Sequence, residues 1–163
     1  MDIPAKLASL GLVLPPAAKP IASYVPAVRA GNLIYVSGQL PWRDGKLLAV
    51  GKVPSAISIE LAQQAAAQCA VLGLSAAGGL LNGDWDQLLG VVRVGVFVQS
   101  DDTFSEQSKV ANGASDLLQQ VMGEAGRHSR AAVGVNALPL NSAVEVEFVL
   151  AVRRPAADYP AHI

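Results

Sequence analysis

The sequence predicts an α+β chain, a two-layer α/β sandwich with one six-stranded mixed sheet and two helices on one face. Three observations carry this expectation. The elements read β-β-(β)-α-β-α-β-β along the chain. The length, 163 residues, suits one compact domain spanning 1–163. Two strand-like runs are apolar on both faces, which calls for a sheet buried on both sides.

Residues 1–20 hold Pro4, Pro15, Pro16 and Pro20 around a short helical stretch at Ile3–Leu12, and read as an ordered N-terminal arm. Tyr24–Arg29 and Leu33–Gln39 flank Gly31-Asn32. That pattern predicts a β-hairpin, because Gly and Asn accept the positive φ of tight turns. Lys46–Val50, led in by Asp44-Gly45, is a third short strand. Ile59–Ala77 is the first long helix. Its Leu61, Ala65, Cys69, Leu72 and Ala76 recur at helical spacing, and Gly78-Gly79 should stop it. Cys69 reads as a small buried hydrophobe. Gly90–Val98 is a Val-rich strand. Phe104–Gly123 is the second helix, with Asp102 or Thr103 as N-cap. Ala131–Val135 and Val144–Val152 are strands on either side of Leu138-Pro139-Leu140-Asn141. The tail, 155–163, is expected to run extended.

The composition is 52% hydrophobic and 15% charged, with a mean hydropathy of +0.37. Soluble domains average roughly 25% charged. The chain therefore carries more apolar surface than one small domain readily hides. A net charge of −1 gives no electrostatic case for nucleic acid or an anionic membrane. One Cys and two His cannot complete a closed Cys/His zinc site, which takes about four ligands. Leu61–Leu81 is free of charge, but three Gln, three Gly and many Ala leave it too weakly apolar for a membrane span. The expectation is a cytoplasmic protein that buries its surplus against other subunits.

Strand alternation sharpens this. Val92, Val94, Val96 and Val98 share the face expected to meet the helices, leaving Val91, Arg93, Gly95 and Phe97 on the other. Likewise Val144, Val146, Phe148, Leu150 and Val152 oppose Glu145, Glu147, Val149 and Ala151. Two helices cover only one face, so the second needs another subunit.

No dinucleotide fingerprint, phosphate loop, zinc-protease helix motif or serine-hydrolase elbow is present. If 131–135 pairs antiparallel with 144–152, Val135 opposite Val144, then Arg130, Ala132, Gly134, Glu145 and Glu147 share a face. Arg130 would then lie diagonal to Glu147. That juxtaposition has two readings: an anion receptor beside a proton carrier, or an interface salt bridge. His128 has the parity of Arg130 and could edge the site, although a solvated loop histidine is the simpler reading. Trp42 and Trp85 fall in loops.

The run Tyr24-Val25, Gly31-Asn32, Val36-Ser37-Gly38-Gln39-Leu40-Pro41 resembles the N-terminal hairpin of the RidA/YjgF reactive-intermediate deaminases, also called endoribonuclease L-PSP. Val96-Phe97-Val98, Asn112, Arg130-x-x-Val133-x-Val135, Leu138-Pro139 and Val144-Glu145-Val146-Glu147 continue the resemblance in order, over about residues 22–154. It implies a chorismate-mutase-like fold and a homotrimer with a central barrel and ligand clefts between subunits. It also implies hydrolysis of 2-imino acids or enamines to 2-keto acids and ammonia, with no cofactor and no metal. Arg130 then matches the arginine that clamps the substrate carboxylate. Glu147 matches the glutamate of the water-attack step. Tyr24 and Gly38 match the cleft wall. Asn112 matches a substrate-binding asparagine, with one residue inserted before Arg130. Ala132 stands where relatives often carry Cys and contributes backbone. His128-Ser129, the N-terminal arm, the Ala76–Gln87 loop and the tail depart from the pattern and mark a divergent subgroup. The leading expectation is an imine/enamine hydrolase. A non-catalytic trimer that binds or senses a small carboxylate through Arg130 is the alternative. RNA cleavage is the weakest reading, since no basic stripe exists.

Overall fold

A computed structural model describes residues 1–17 and 24–154. The tail predicted from Pro155 lies outside them. The expected hairpin forms strands β1 (Ala27–Ala30) and β2 (Leu33–Gln39), paired antiparallel around Gly31 at φ 59°. A short helix α1 (Ile3–Ser9) precedes it, with the Asp2 side chain capping Ala5 N–H. Helix α2 is Ile59–Leu80, strand β5 Leu88–Gln99, helix α3 Gln107–Met122, strand β6 Ser129–Val135 and strand β7 Val144–Val152. Between the hairpin and α2 lie two two-residue strands, β3 (Trp42–Arg43) and β4 (Lys46–Leu47).

The main sheet has five strands, not six, in the order β1-β2-β7-β5-β6. The strand expected at Lys46–Val50 pairs instead with Trp42-Arg43 in a separate ribbon. Asp44 and Gly45 both have positive φ, so the chain folds back on itself within two residues and does not reach the sheet. The α+β sandwich itself stands: α2 and α3 pack together on one face of this sheet.

The largest correction concerns β6. It does not pair with β7. It runs parallel to β5 on the sheet edge, with Val94 beside Arg130, while β7 pairs antiparallel with β5 on the other side. A parallel neighbour needs a crossover connection, and α3 supplies it. The registers then place Arg130, Val94 and Phe148 in one row and Ala131, Gly95 and Glu147 in the next. Arg130 faces the helices and Glu147 the opposite side. The expected shared face of Arg130, Ala132 and Gly134 with Glu145 and Glu147 does not exist within one chain.

A bulge between Val91 and Arg93 corrects the valine pattern. Val91 is buried opposite Leu150, whereas Val92 is 43% exposed. One extra residue shifts the alternation by one, and Val94 onward regains the expected phase. The Gly78-Gly79 pair does not stop α2 either. A Cβ at Gly78 would lie 2.7 Å from the Trp85 ring, and one at Gly79 would lie 2.7 Å from Ala17. Both glycines permit close packing, and the chain turns later, at Asn82 and Gly83. Helix α3 begins at Gln107 rather than Phe104, because Asp101 to Phe104 close a turn first.

The core lies between sheet and helices. Phe148 is 2% exposed and fills the space that Gly73 of α2 leaves open. Where α2 meets α3, Gly113 sits against the Gln63 carbonyl with no room for a methyl group. Gly113→Ala should therefore push two helices apart and lower unfolding free energy by about 1–3 kcal/mol in urea denaturation, with the fold retained. The opposite face of the sheet has no such cover. Val28, Tyr35 and Val133 are exposed there, Tyr35 by 44%, beside half-buried Val149, Ala151 and Phe97. Among the described residues, no helix is long and apolar enough to cross a membrane.

Candidate functional site

Two separate clusters gather the candidate residues. The first surrounds Arg130, near the start of edge strand β6. Its side chain lies across α3. Nη1 donates to Asn112 Oδ1 (2.9 Å) and Ser115 Oγ (3.0 Å), and Nη2 donates to the Ser108 carbonyl (3.3 Å). Asn112 and Ser115 are three residues apart and so share one helix face. A cleft of about 260 Å³ opens here, with Asn112, Asp116, His128 and Arg130 in its lining. Ala132 follows on the same face and packs against the core.

A guanidinium has five N–H donors. Three are used by α3. Those without a partner among the described residues are Nε–H and one hydrogen on Nη2. Nε–H and the Nη2 edge beside it make the planar fork that matches a carboxylate. The helix thus saturates one part of the guanidinium and leaves another open to a ligand.

The second cluster lies on the uncovered face. The β2–β7 register shifts between Val36 and Gln39, and Gly38 sits in that irregularity. Glu145 of β7 packs directly over Gly38, where any Cβ would overlap its carboxylate. Partial burial pushes the Glu145 carboxyl above its ordinary pKa, and the charge of Glu147 adds to the rise. Tyr24 is 64% exposed at the entry of the hairpin. Ser37 ties that entry to Gly38: its hydroxyl donates to the Val25 carbonyl at 2.8 Å. Glu147 stands apart, beside Gly95, with Arg93 Nη1 3.3 Å from its carboxylate. Gly38→Ala should displace the Glu145 side chain into water and return its pKa toward the ordinary carboxylate value. Carboxyl-carbon NMR titration reads this directly, and an unmoved pKa would mean that burial has another source.

The structure therefore joins Arg130 with Asn112 and Ala132, and Gly38 with Glu145 near the Tyr24 hairpin. It does not join Arg130 with Glu147. The sequence reading missed Ser115, Glu145 and Arg93 as participants. The spacing of Asn112 and Ser115 was the available signal for Ser115. Nothing local separates Glu145 from Glu147, which share an alternation phase. His128 is not a solvated loop residue, because both ring nitrogens are hydrogen-bonded. Cys69 is buried, which pushes its thiol pKa well up and leaves it unreactive. Among the described residues, no group of three or more His, Cys, Asp or Glu side chains could hold a metal ion.

The sequence model of the endoribonuclease L-PSP family matches residues 15–152. The chain belongs to this family, also called RidA/YjgF. Protein TCP17 of Trypanosoma cruzi is 45% identical over 146 residues, covering 89% of this chain and 91% of its own. Among solved L-PSP structures, Atu1372 of Agrobacterium tumefaciens, a protein of unknown function, is 42% identical with a TM-score of 0.86. The match covers 93% of this chain and 92% of that one. A Shewanella oneidensis protein provisionally named an endoribonuclease is 28% identical with a TM-score of 0.87. It covers 93% of this chain and all of its own, at 100%. The L-PSP match runs through the hairpin, α3 and both strands that carry the two clusters.

Proposed function

We propose that the protein is a cytoplasmic homotrimer that holds a small 2-imino or 2-keto carboxylate between subunits and hydrolyses the imine to keto acid and ammonia. The observation that carries this reading is the division of the candidate residues. A carboxylate fork sits on the helix side of the edge strand, in a cleft it shares with Asp116 and His128. A carboxyl with a raised pKa, without an ion-pair partner among the described residues, sits on the opposite face beside Gly38. One chain cannot bring both to one ligand. A second copy can, and docking one also covers the apolar face left open around Val28, Tyr35 and Val133.

The chemistry needs little more. Arg130 clamps the carboxylate and fixes the C=N carbon. Glu145 of the neighbouring copy protonates the imine nitrogen, and its carboxylate then takes a proton from the water that adds to that carbon. Glu145 returns that proton to nitrogen; as the C–N bond breaks and ammonia leaves, the hydroxyl proton passes to the Glu145 carboxylate, the C=O forms and the starting acid is restored. Imines hydrolyse readily in water, so orientation and one placed proton carrier suffice. Glu147 fits this step less well, since Arg93 pairs with it. Asn112 holds Arg130, Ala132 supplies backbone and Tyr24 borders the cleft.

The test generates 2-aminoacrylate in situ with a serine dehydratase and follows pyruvate by coupled reduction. Added protein should speed pyruvate release, and sedimentation should give a trimer. Pyruvate binding without acceleration would reassign the site to a binder or sensor. A stable monomer would remove the shared cleft.

A further inference from the structure

A chain of hydrogen bonds lies behind Arg130 that the reading above leaves without a role. His128 Nδ1 is 2.6 Å from the Gly126 carbonyl oxygen, and Nε2 is 2.9 Å from Ser115 Oγ. Ser115 Oγ is in turn 3.0 Å from Arg130 Nη1. Donor and acceptor chemistry gives this chain one direction. A carbonyl only accepts, so the neutral imidazole carries its hydrogen on Nδ1 and accepts at Nε2. Arginine only donates. Beside a neutral imidazole, Ser115 is left one arrangement: its hydroxyl donates to His128 and its oxygen accepts from Arg130.

We propose that Ser115 and His128 are a positioning pair that locks the Arg130 guanidinium with its free fork turned toward the ligand. The proposal rests on Arg130 being the carboxylate receptor. A serine bonded to a histidine also resembles a nucleophile with its base. Here, however, Ser115 is 5% exposed in the middle of α3, and its oxygen is already hydrogen-bonded to the guanidinium, an arrangement unlike that of an activated nucleophile. The same contacts suit a clamp. Asn112 and Ser115 take both hydrogens of Nη1, which fixes the guanidinium plane, and His128 fixes the hydroxyl rotor that does half of this. Without that rotor, Ser115 can turn its own proton toward Nη1. The plane then loosens, and the Nε/Nη2 fork is ordered only at the expense of binding.

Arginine side-chain 15N NMR and pyruvate titration test this on the full chain. In the parent protein the two Nη groups of Arg130 should give separate signals, reporting slow rotation about Cζ–Nε. Ser115→Ala and His128→Leu should merge them and raise the pyruvate dissociation constant about tenfold, the worth of one hydrogen bond to a charged group. His128→Gln offers a carbonyl to Ser115 and an amide to Gly126, and should restore both readouts to within about threefold. KM for 2-aminoacrylate should rise more than kcat falls. Separate Nη signals in both Ser115→Ala and His128→Leu would overturn the pair's role. Merged signals with unchanged pyruvate affinity would instead overturn Arg130 as the receptor. If Ser115→Ala does not fold, the His128→Leu and His128→Gln comparison decides alone.

Discussion

Arg130→Ala should lower kcat/KM for 2-aminoacrylate by about a hundredfold to ten-thousandfold. With Arg130 as the proposed receptor, the fork would make two hydrogen bonds to a charged carboxylate, each worth about 1.5–3 kcal/mol, and every 1.4 kcal/mol is about a factor of ten. The loss should appear in pyruvate binding to a similar degree, because the clamp acts on the ground state as well as the transition state. Arg130→Lys keeps the charge and loses the planar fork, so it should recover only part of the activity. Stability should move little. Asn112 Oδ1 and the Ser108 carbonyl lose a donor at the mouth of a cleft, where water replaces it, and Ser115 Oγ, which also loses one, keeps its bond to His128. A thermal midpoint within a few degrees of the parent, together with the kinetic loss, separates a missing receptor from a damaged fold. Retention of kcat/KM within fivefold would place the carboxylate elsewhere.

Alternation and turn chemistry made much of this fold legible. The Gly31-Asn32 hairpin, the two long helices and the faces of β7 follow from local pattern, and Phe148 and Leu150 are buried on the predicted side. The face of Arg130 was not legible, because parity along β6 acquires a direction only once its neighbour is known. That neighbour is β5, brought alongside by α3, and not β7, which is nearer in sequence. The bulge at Val91–Arg93 changes phase without changing composition. Gly78 and Gly79 read as a helix stop, while their actual reason lies in Trp85 and Ala17. At the site, family resemblance named Arg130, Asn112 and Gly38. The choice between Glu145 and Glu147 required contacts across the sheet: Gly38 beneath one and Arg93 beside the other.

Glu145→Gln should separate function from stability and show where the site is assembled. Burial, then the charge of Glu147, raises the Glu145 pKa above its ordinary value of 4.5. The folded chain therefore holds this proton more tightly than the unfolded chain. The stability linked to it is complete below pH 4.5 and is lost as pH rises through the raised pKa. A glutamine at this position stays neutral at every pH. The variant should match the parent's thermal midpoint at pH 4 and exceed it at pH 7, and the reverse order would contradict the burial argument. Activity should fall about a hundredfold to ten-thousandfold, the usual contribution of a placed acid–base group. Glu147→Gln breaks a half-exposed pair with Arg93 and should cost about 0–1 kcal/mol of stability and little activity. The decisive result comes from mixing. Arg130→Ala and Glu145→Gln should each be nearly inactive alone. Unfolded together and reassembled in equal amounts, about one site in four should take an intact Arg130 from one chain and an intact Glu145 from its neighbour. About a quarter of the parent activity should then return. A cleft completed within one chain regains nothing on mixing, since every chain carries one defect, so recovery would require that two copies build the site.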